Sequence, residues 1–402
     1  MSEVKIEVRN VTKIFGKSPR QALEMLDSGI SKKEILAKTG MTVGVNQADF
    51  KVYEGEIFVI MGLSGSGKST LVRMINRLIE PSAGNVFIDG QDIVKLNAKE
   101  LREVRRKKLS MVFQQFALFP HRTVLSNVMY GLETRGADKQ MQMEKAQEAL
   151  KQVGLEGYEN SYPKELSGGM QQRVGLARAL ANDPDVLLMD EAFSALDPLI
   201  RKDMQNELLN LQDKLKKTIV FITHDLNEAL RLGDRIALMR DGSIVQIGTA
   251  EEILTNPANE YVERFVEDVD FSKVLTAGHV MKQPESIRID RGPRVALKIM
   301  RDAGISSVYV VDKKDLLLGA ITAQDASEAI KSGQSLEEAM TREIETVHPD
   351  TLLDDLLDKT ATATIPVAVV DEDHRLKGII VRGAVLAALS GNGTHLNGKE
   401  EE

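Results

Sequence analysis

Glycines, a lysine and two hydroxyls fall together at Gly62-Leu63-Ser64-Gly65-Ser66-Gly67-Lys68-Ser69-Thr70. Gly, four residues, then Gly-Lys-Ser is the spacing of a loop built to hold phosphate. Gly62, Gly65 and Gly67 let the backbone curl around Ser64 so that its N–H groups point inward at an anion. Lys68 supplies a point charge for a β- or γ-phosphate, and Ser69 and Thr70 supply hydroxyls, one of them for Mg²⁺. A second group lies at Asp190-Glu191, two carboxylates closing an apolar run. One can hold Mg²⁺ directly or through water, and the other can polarise an attacking water. His224 also follows an apolar run, but position alone gives a single histidine no catalytic role.

These residues need strands and helices to aim them. Ile57 to Met61 reads as a buried strand leading into the glycine loop, and Leu71 to Leu78 as the helix leaving it. Strand, loop and helix in that order place a helix N-terminus, with its positive end, at the phosphate. Val186 to Glu191 and Thr218 to Thr223 read as further buried strands, and Leu109 to Phe113 as a strand ending at Gln114. Arg235 to Met239 and Ser243 to Gly248 flank Asp241-Gly242 as a hairpin. Near the start, Val4 to Val11 and then Val43–Val45 and Asp49–Val52 alternate as strands. Between them Ser18 to Gly40 reads as a helical insertion. Helices are expected over Ala98–Lys108, Thr123–Tyr130, Lys139–Val153 and Leu199–Leu215. The arginines and lysines of the first read as a solvated face. Alternating strands and helices with apolar strands predict an α/β domain around a parallel sheet.

The chain has 402 residues, enough for two or three domains. Its net charge of −8 argues against bulk nucleic-acid binding. It has no cysteine, hence no disulfide framework and no thiolate metal site. The N-terminal residues lack the apolar core of a signal peptide, and no apolar run approaches the roughly 20 residues that span a bilayer. Work at a membrane would need other chains to cross it. From about Thr276 the texture changes to an α+β repeat of about 55 to 60 residues. Helix, strand, polar turn, strand and helix recur at 294–332 and 352–389. The expected division is 1–270, with the insertion at 18–40, then 276–333, then 334–390. An acidic tail at 391–402 is expected to be disordered.

Leu166-Ser167-Gly168-Gly169-Met170-Gln171-Gln172-Arg173, between the phosphate loop and the Asp-Glu strand, resembles the signature of ABC-type ATPases. Gln114 matches that family's Q-loop glutamine, Asp190 its Walker B aspartate and Glu191 its catalytic glutamate. Ser194-Ala195-Leu196-Asp197 matches the D-loop, His224 the switch histidine, and Phe15 the aromatic that stacks on adenine. The resemblance implies a P-loop fold with a RecA-like core, a helical subdomain and an antiparallel β subdomain. It implies ATP and Mg²⁺ as ligands and a catalytic set of Glu191, His224 and Gln114. Ser69, Gln114 and Asp190 fall to the metal. Phe15, Gly62, Ser64, Gly65, Gly67, Lys68, Ser69 and Thr70 fall to the nucleotide, with Ser167, Gly168 and Gly169 reaching it from a second copy. One chain with one loop and one signature is therefore expected to act as a head-to-tail homodimer or to pair with a similar subunit.

The wording Phe58 to Arg73, together with the insertion, is similar to the ATPase subunits of glycine betaine/proline importers of the OpuA or ProV type. The C-terminal repeat resembles a tandem CBS module, and fits neither the β-barrel end of maltose-type subunits nor the ferredoxin-like end of methionine-type ones. Gln114 to His121 resembles the segment that docks the permease. The expectation is an ATPase on the cytoplasmic face of the membrane, working with transmembrane permease subunits and a fused or separate substrate-binding protein. In CBS modules Gly-x-x-Thr/Ser-x-x-Asp often holds an adenosine ribose, and Gly319 to Asp325 fits it through Thr322 and Asp325. The second copy has Val381 and Ala384 at those places. The first copy is locally basic (Arg288, Arg291, Arg294, Lys298, Arg301, Lys313 and Lys314). That is open to three readings: an anionic-lipid surface sensing ionic strength, a site for an anionic ligand such as a cyclic dinucleotide, or a solvated face.

Overall fold

Residues 3–114, 116–267, 272 and 275–389 are described, from a computed structural model. The chain divides into two units, Met1–Val266 and Glu267–Glu402. The first unit begins with β1 (Val4–Phe15), β2 (Thr42–Tyr53), β3 (Ile57–Met61), β4 (Ala83–Ile88) and β5 (Gln91–Asp92). It continues through β6 (Leu109–Phe113), β7 (Val186–Asp190), β8 (Thr218–Thr223), β9 (Arg235–Arg240) and β10 (Ser243–Gly248).

The short all-apolar runs form the centre. β3, β7 and β8 are buried along their whole length, as a parallel sheet covered on both faces requires. The sheet order is β10-β9-β3-β8-β7-β6, parallel from β9 to β6, with β10 antiparallel on the edge. The alternating segments form a separate antiparallel sheet, ordered β2-β1-β4-β5. One apolar core joins the two sheets, from Ile6, Val8 and Phe50 to Ile60, Leu71 and Val220. In it the rings of Phe50 and Phe58 stack at 5.0 Å between centroids. Burying side chains of this size contributes roughly 1.5–3 kcal/mol each, which is why the sheet rather than its loops fixes the site.

Three helices, Val124–Arg135, Lys139–Gln152 and Gly168–Leu180, lie between β6 and β7 in the chain and pack on one another. Buried Asn127 shapes the approach to them. Its side chain accepts from Phe119 N and donates to the carbonyls of Phe119, Arg122 and Thr123.

Four sequence expectations change in detail. The two segments expected at 43–45 and 49–52 are one strand, with a register shift where Gln47 turns to φ 45° and donates its N–H to Thr12 Oγ1. The helix after the loop starts at Lys68, not Leu71, because Gly67 in the left-handed region ends the loop there. The strand expected to include Glu191 stops at Asp190, and Glu191 turns to φ 47°. The basic helix, Ala98–Lys107, is more than a solvated face. Arg105 donates to the carbonyls of Asn76 and Arg77.

The second unit holds two small sheets, β11 (Ser286–Arg288), β12 (Ser307–Val311) and β13 (Leu317–Thr322), then β14 (Thr346–Val347), β15 (Val367–Val370) and β16 (Leu376–Ile380). Each sheet joins one parallel pair to one antiparallel pair. The packing crosses between the repeats. Leu275, Ala277 and Val280 from the start of the first repeat fill the core around Val367 and Ile380. Leu336 and Met340 from the start of the second fill the core around Val308 and Ile321. The tail expected at 391–402 lies outside the described residues.

Candidate active site

The right-handed crossovers of a parallel sheet put successive strand ends on one edge. The phosphate loop follows β3, His224 follows β8, Glu191 follows β7 and Gln114 follows β6. In the sheet these four strands are consecutive neighbours, so residues up to 162 apart in sequence become a row.

The loop itself is held in a shape that only glycine allows at two points. Gly62 has φ 151° and Gly67 φ 103°. A Cβ on Gly62 would overlap Met239 O, and one on Gly67 would overlap Gly44 O. Gly67→Ala is therefore expected to open the loop and cost about 1–3 kcal/mol of stability, the range for a strained backbone held by its surroundings. A chemical melt with and without nucleotide checks it. An alanine variant that melts and binds as the wild type does would refute the close approach.

Lys68 is 4% exposed and donates from Nζ to Gly62 O (2.7 Å) and Leu63 O (3.1 Å). Burial pushes its pKa down, while Glu191 and Asp190 pull it up. Ser66 Oγ is buried in the loop with no hydrogen-bond partner among the described residues. A desolvated cation and a hydroxyl without a described partner, in a glycine loop at a helix N-terminus, fit an incoming phosphate. Ser69 Oγ donates to Asp190 Oδ1 (2.8 Å), and Arg73 Nη2 lies 3.2 Å from Asp190 Oδ2. This oxygen-only pair beside a phosphate cradle fits Mg²⁺, which is commonly held by one or two carboxylates plus phosphate oxygens and water. Among the described residues no group of three or more His, Cys, Asp or Glu is gathered as a metal cage.

Three predicted groups converge on Glu191. Gln114 Nε2 donates to its Oε2 (3.2 Å), His224 Nδ1 stands 3.5 Å from the same oxygen, and Lys68 Nζ lies 4.0 Å from Oε1. The left-handed turn at Glu191, whose N–H donates to Ile222 O (3.2 Å), swings the carboxylate off the strand line toward these partners. Gln114 also donates to Ser194 Oγ (3.1 Å), and Ser194 Oγ donates to Glu191 O (2.9 Å).

Phe15 ends β1 with its ring against Gly44, 42% exposed, and Lys13 Nζ is 5.2 Å from the ring centroid. Ser64 and Gly65 are exposed in the loop, and Thr70 lies in the first turn of its helix. The signature does not join this cluster. Ser167 caps helix Gly168–Leu180, accepting from Met170 N (3.3 Å). Gly168 lies beside Phe116 and Leu196, and Gly169 against Ile200. Arg178 on the same helix donates to Ala117 O (2.6 Å) and Phe116 O (3.3 Å), so the signature helix is tied to the segment that follows Gln114. Burial lowers the Arg178 pKa by desolvating the guanidinium.

In the second unit Thr322 Oγ1 donates to Asp325 Oδ2 (2.6 Å) and accepts from Asp325 N (3.2 Å), capping helix Ala323–Ser332. Thr322 lines a cleft of about 250 Å³ with Thr341, Glu343, Glu345, Thr362 and Ile365. Arg288 and Arg291, expected as part of a basic patch, are within 2.9 Å and 3.9 Å of Asp290.

Sequence reasoning about the site passed over Ser66, Arg73 and the hydroxyl of Ser194. Arg73 was readable by helical spacing, because it lies four residues past Ser69 on the same face. Ser194 lies three residues past Glu191, at the spacing of a turn. Nothing in the sequence marks Ser66 as the hydroxyl left unpaired.

A strand–loop–helix phosphate cradle and a carboxylate pair at strand ends of one parallel sheet, with a separate capped signature helix, define an ABC-type ATPase. The family model described as ABC transporter matches residues 45–194, and that described as CBS domain matches 277–332 and 336–391. The glycine betaine transport ATP-binding protein OpuAA of Bacillus subtilis is 66% identical over 98% of this chain and 94% of its own length. GbuA of Listeria monocytogenes, a glycine betaine/carnitine transport ATP-binding protein, is 61% identical over 98% and 99%. ProV of Escherichia coli, from a glycine betaine/proline betaine transport system, is 52% identical over 98% and 99%. The chain belongs to the family of glycine betaine ABC transporter ATP-binding subunits with C-terminal CBS domains. A bacterial ABC transporter cassette solved as a dimer matches with a TM-score of 0.52 and 35% identity, over 61% of this chain and 98% of that one. The same cassette is known bound to ADP and phosphate after hydrolysis. Among the described residues no helix is long and apolar enough to cross a membrane.

Proposed function

We propose that this chain hydrolyses ATP to drive uptake of glycine betaine or a related quaternary amine through a membrane permease. The observation that carries the reading is the convergence of Lys68, Gln114 and His224 on Glu191 beside the phosphate loop. Glu191 takes the proton of the attacking water, and His224 contacts the γ-phosphate. Gln114 orients water and reports the site's state. Bound Mg²⁺ would be held by Ser69, Asp190 and Gln114, where it neutralises charge developing on the phosphates. Phe15 stacks on the base. Two copies face head to tail, and Ser167, Gly168 and Gly169 of each offer helix N-terminal N–H groups to the other's nucleotide. The working divisions are an ATPase at 1–270 and CBS repeats at 276–333 and 334–390.

The permease is proposed to dock at the segment after Gln114, on the cytoplasmic side. The CBS pair gates turnover in response to ionic strength or to an anionic ligand such as a cyclic dinucleotide or lipid. Glu343 and Glu345 at the Thr322 cleft favour a ligand that does not bring its phosphates there. Uptake of labelled betaine by the reconstituted complex, in competition with other osmolytes, tests the solute. Truncation before Thr276 is expected to flatten the dependence of ATPase activity on salt. Superimposable salt curves with and without the module would remove the sensing role.

A further inference from the structure

The insertion between β1 and β2 has no part in the site as described, yet it reaches it. Its two helices, Pro19–Asp27 and Lys32–Thr39, do not float on the surface. Ala22 and Ile35 are fully buried, in a small core with Ile14, Met41 and Val43 from the strand ends that carry Phe15. The second helix is fixed at both ends. Ser31 and Glu34 form a capping box, and Gly40 closes it in the left-handed region. The first residue of that helix is therefore held in place, and it is Lys32.

Lys32 is half-buried, and its Nζ donates to Asp241 O in the β9–β10 hairpin. The next residue of that hairpin, Gly242, donates its N–H to Ser66 O of the phosphate loop (2.9 Å). Gly242 O in turn accepts from Asn46 N (2.8 Å), two residues past Gly44, on which the ring of Phe15 rests. Space is tight around this contact. A Cβ on Gly242 would lie 2.7 Å from Lys32 Nζ and 2.8 Å from Gly44 O. A continuous path thus runs from the insertion, through one lysine and one turn, to the middle of the loop that would hold phosphate.

We infer that Lys32 is a positioning residue for ATP, and that the insertion braces the phosphate loop through the Asp241-Gly242 turn. The inference rests on the ATPase reading and adds a role for the 18–40 segment. A charged donor on a carbonyl orients the peptide group of the turn, and that peptide presents the N–H that Ser66 O accepts. Without it the turn is held only by its hydrogen bonds to Ser66 and Asn46, and the loop must be further ordered at the expense of binding.

The test is the equilibrium affinity of the full-length chain for ATP, read with a fluorescent ATP analogue. It is paired with KM and kcat of the chain assembled with its permease. Lys32→Met is expected to weaken ATP binding about three- to tenfold, the net scale of one ordinary hydrogen bond, because Lys32 is only half-buried. KM should rise in step while kcat at saturation stays near wild type. Lys32→Arg, which can still donate to the carbonyl, should recover most of the affinity. Glu34→Ala, which loosens the capping box and leaves Lys32 in place, should weaken binding in the same direction by less, and it serves if Lys32→Met does not fold. Unchanged affinity in Lys32→Met, or an equal loss in Lys32→Met and Lys32→Arg, overturns the brace. Failure of the wild-type chain to bind ATP would instead overturn the ATPase reading.

Discussion

Glu191→Gln is expected to leave ATP binding intact and to lower hydrolysis about 100- to 10,000-fold, the range for removing a positioned general base. The amide keeps the side chain's length and can still accept from Gln114 and face His224, so the row along the sheet edge stays assembled. What it loses is the capacity to take a proton from water. The nucleotide contacts proposed for the phosphate loop come from β3 and its helix, and Lys68 stands 4.0 Å from Glu191, so removing that negative charge leaves Lys68 freer to meet phosphate. Two measurements separate these effects: nucleotide affinity, expected to be unchanged or tighter, and phosphate release, expected to be nearly abolished. Size-exclusion chromatography with ATP should then show a lasting dimer, because the ligand that bridges the two copies is no longer consumed. Turnover near the wild-type rate would remove Glu191 from the chemistry and leave the convergence around it without a purpose.

The second large effect concerns the division of the site between two copies. Within one chain Ser167 caps its own helix and Gly168 rests beside Phe116 and Leu196, outside the contacts that join Lys68 and Gln114 to Glu191 and Ser69 to Asp190. A homodimer carrying Lys68→Ala has two defective loops, and one carrying Ser167→Arg has two blocked signatures. Each alone is expected to be inactive. Mixed in equal amounts and allowed to exchange, half the dimers carry one defect in each chain. Head-to-tail geometry collects both defects into one site and leaves the other intact, so activity should return to about a quarter of wild type in a symmetric two-site dimer. If each site were completed within its own chain, every chain would remain defective and mixing would restore nothing. Coexpression with two different affinity tags, followed by ATPase assay of the doubly selected dimer, makes the comparison direct: with every dimer then mixed, about half of wild-type activity is expected.

Much of this site was legible because its parts are local. Gly62 to Thr70 declares itself within nine residues, and the strand and helix around it follow from apolar runs of the right length. Asp190 and Glu191 are adjacent, and the signature lies at the start of its own helix. The roles of Gln114 and His224 were different. Each is an ordinary polar residue after a strand, and only resemblance singled it out. The structure brings both to within 3.5 Å of Glu191 because β6 and β8 flank β7 in the sheet, an order that no local pattern encodes.

The sequence by itself determined the chemistry, since phosphate binding follows from glycine spacing and helix polarity, which are properties of a short stretch. It also determined the class of each domain, because hydrophobic period reports whether a segment is buried on one face or two. Tertiary structure alone decided how distant residues meet. It turned Glu191 into the left-handed region to face its partners and buried Ser66 Oγ without a mate among the described residues. It carried Lys32 to a hairpin 209 residues away. It also exchanged the first segments of the two C-terminal repeats between their cores, so the unit that repeats in sequence is not the unit that packs. The physical reason is common to all of these. Side chains are chosen by the chain locally, but burial is shared among whatever surfaces the sheet order brings together, and that order minimises exposed apolar area over the whole unit.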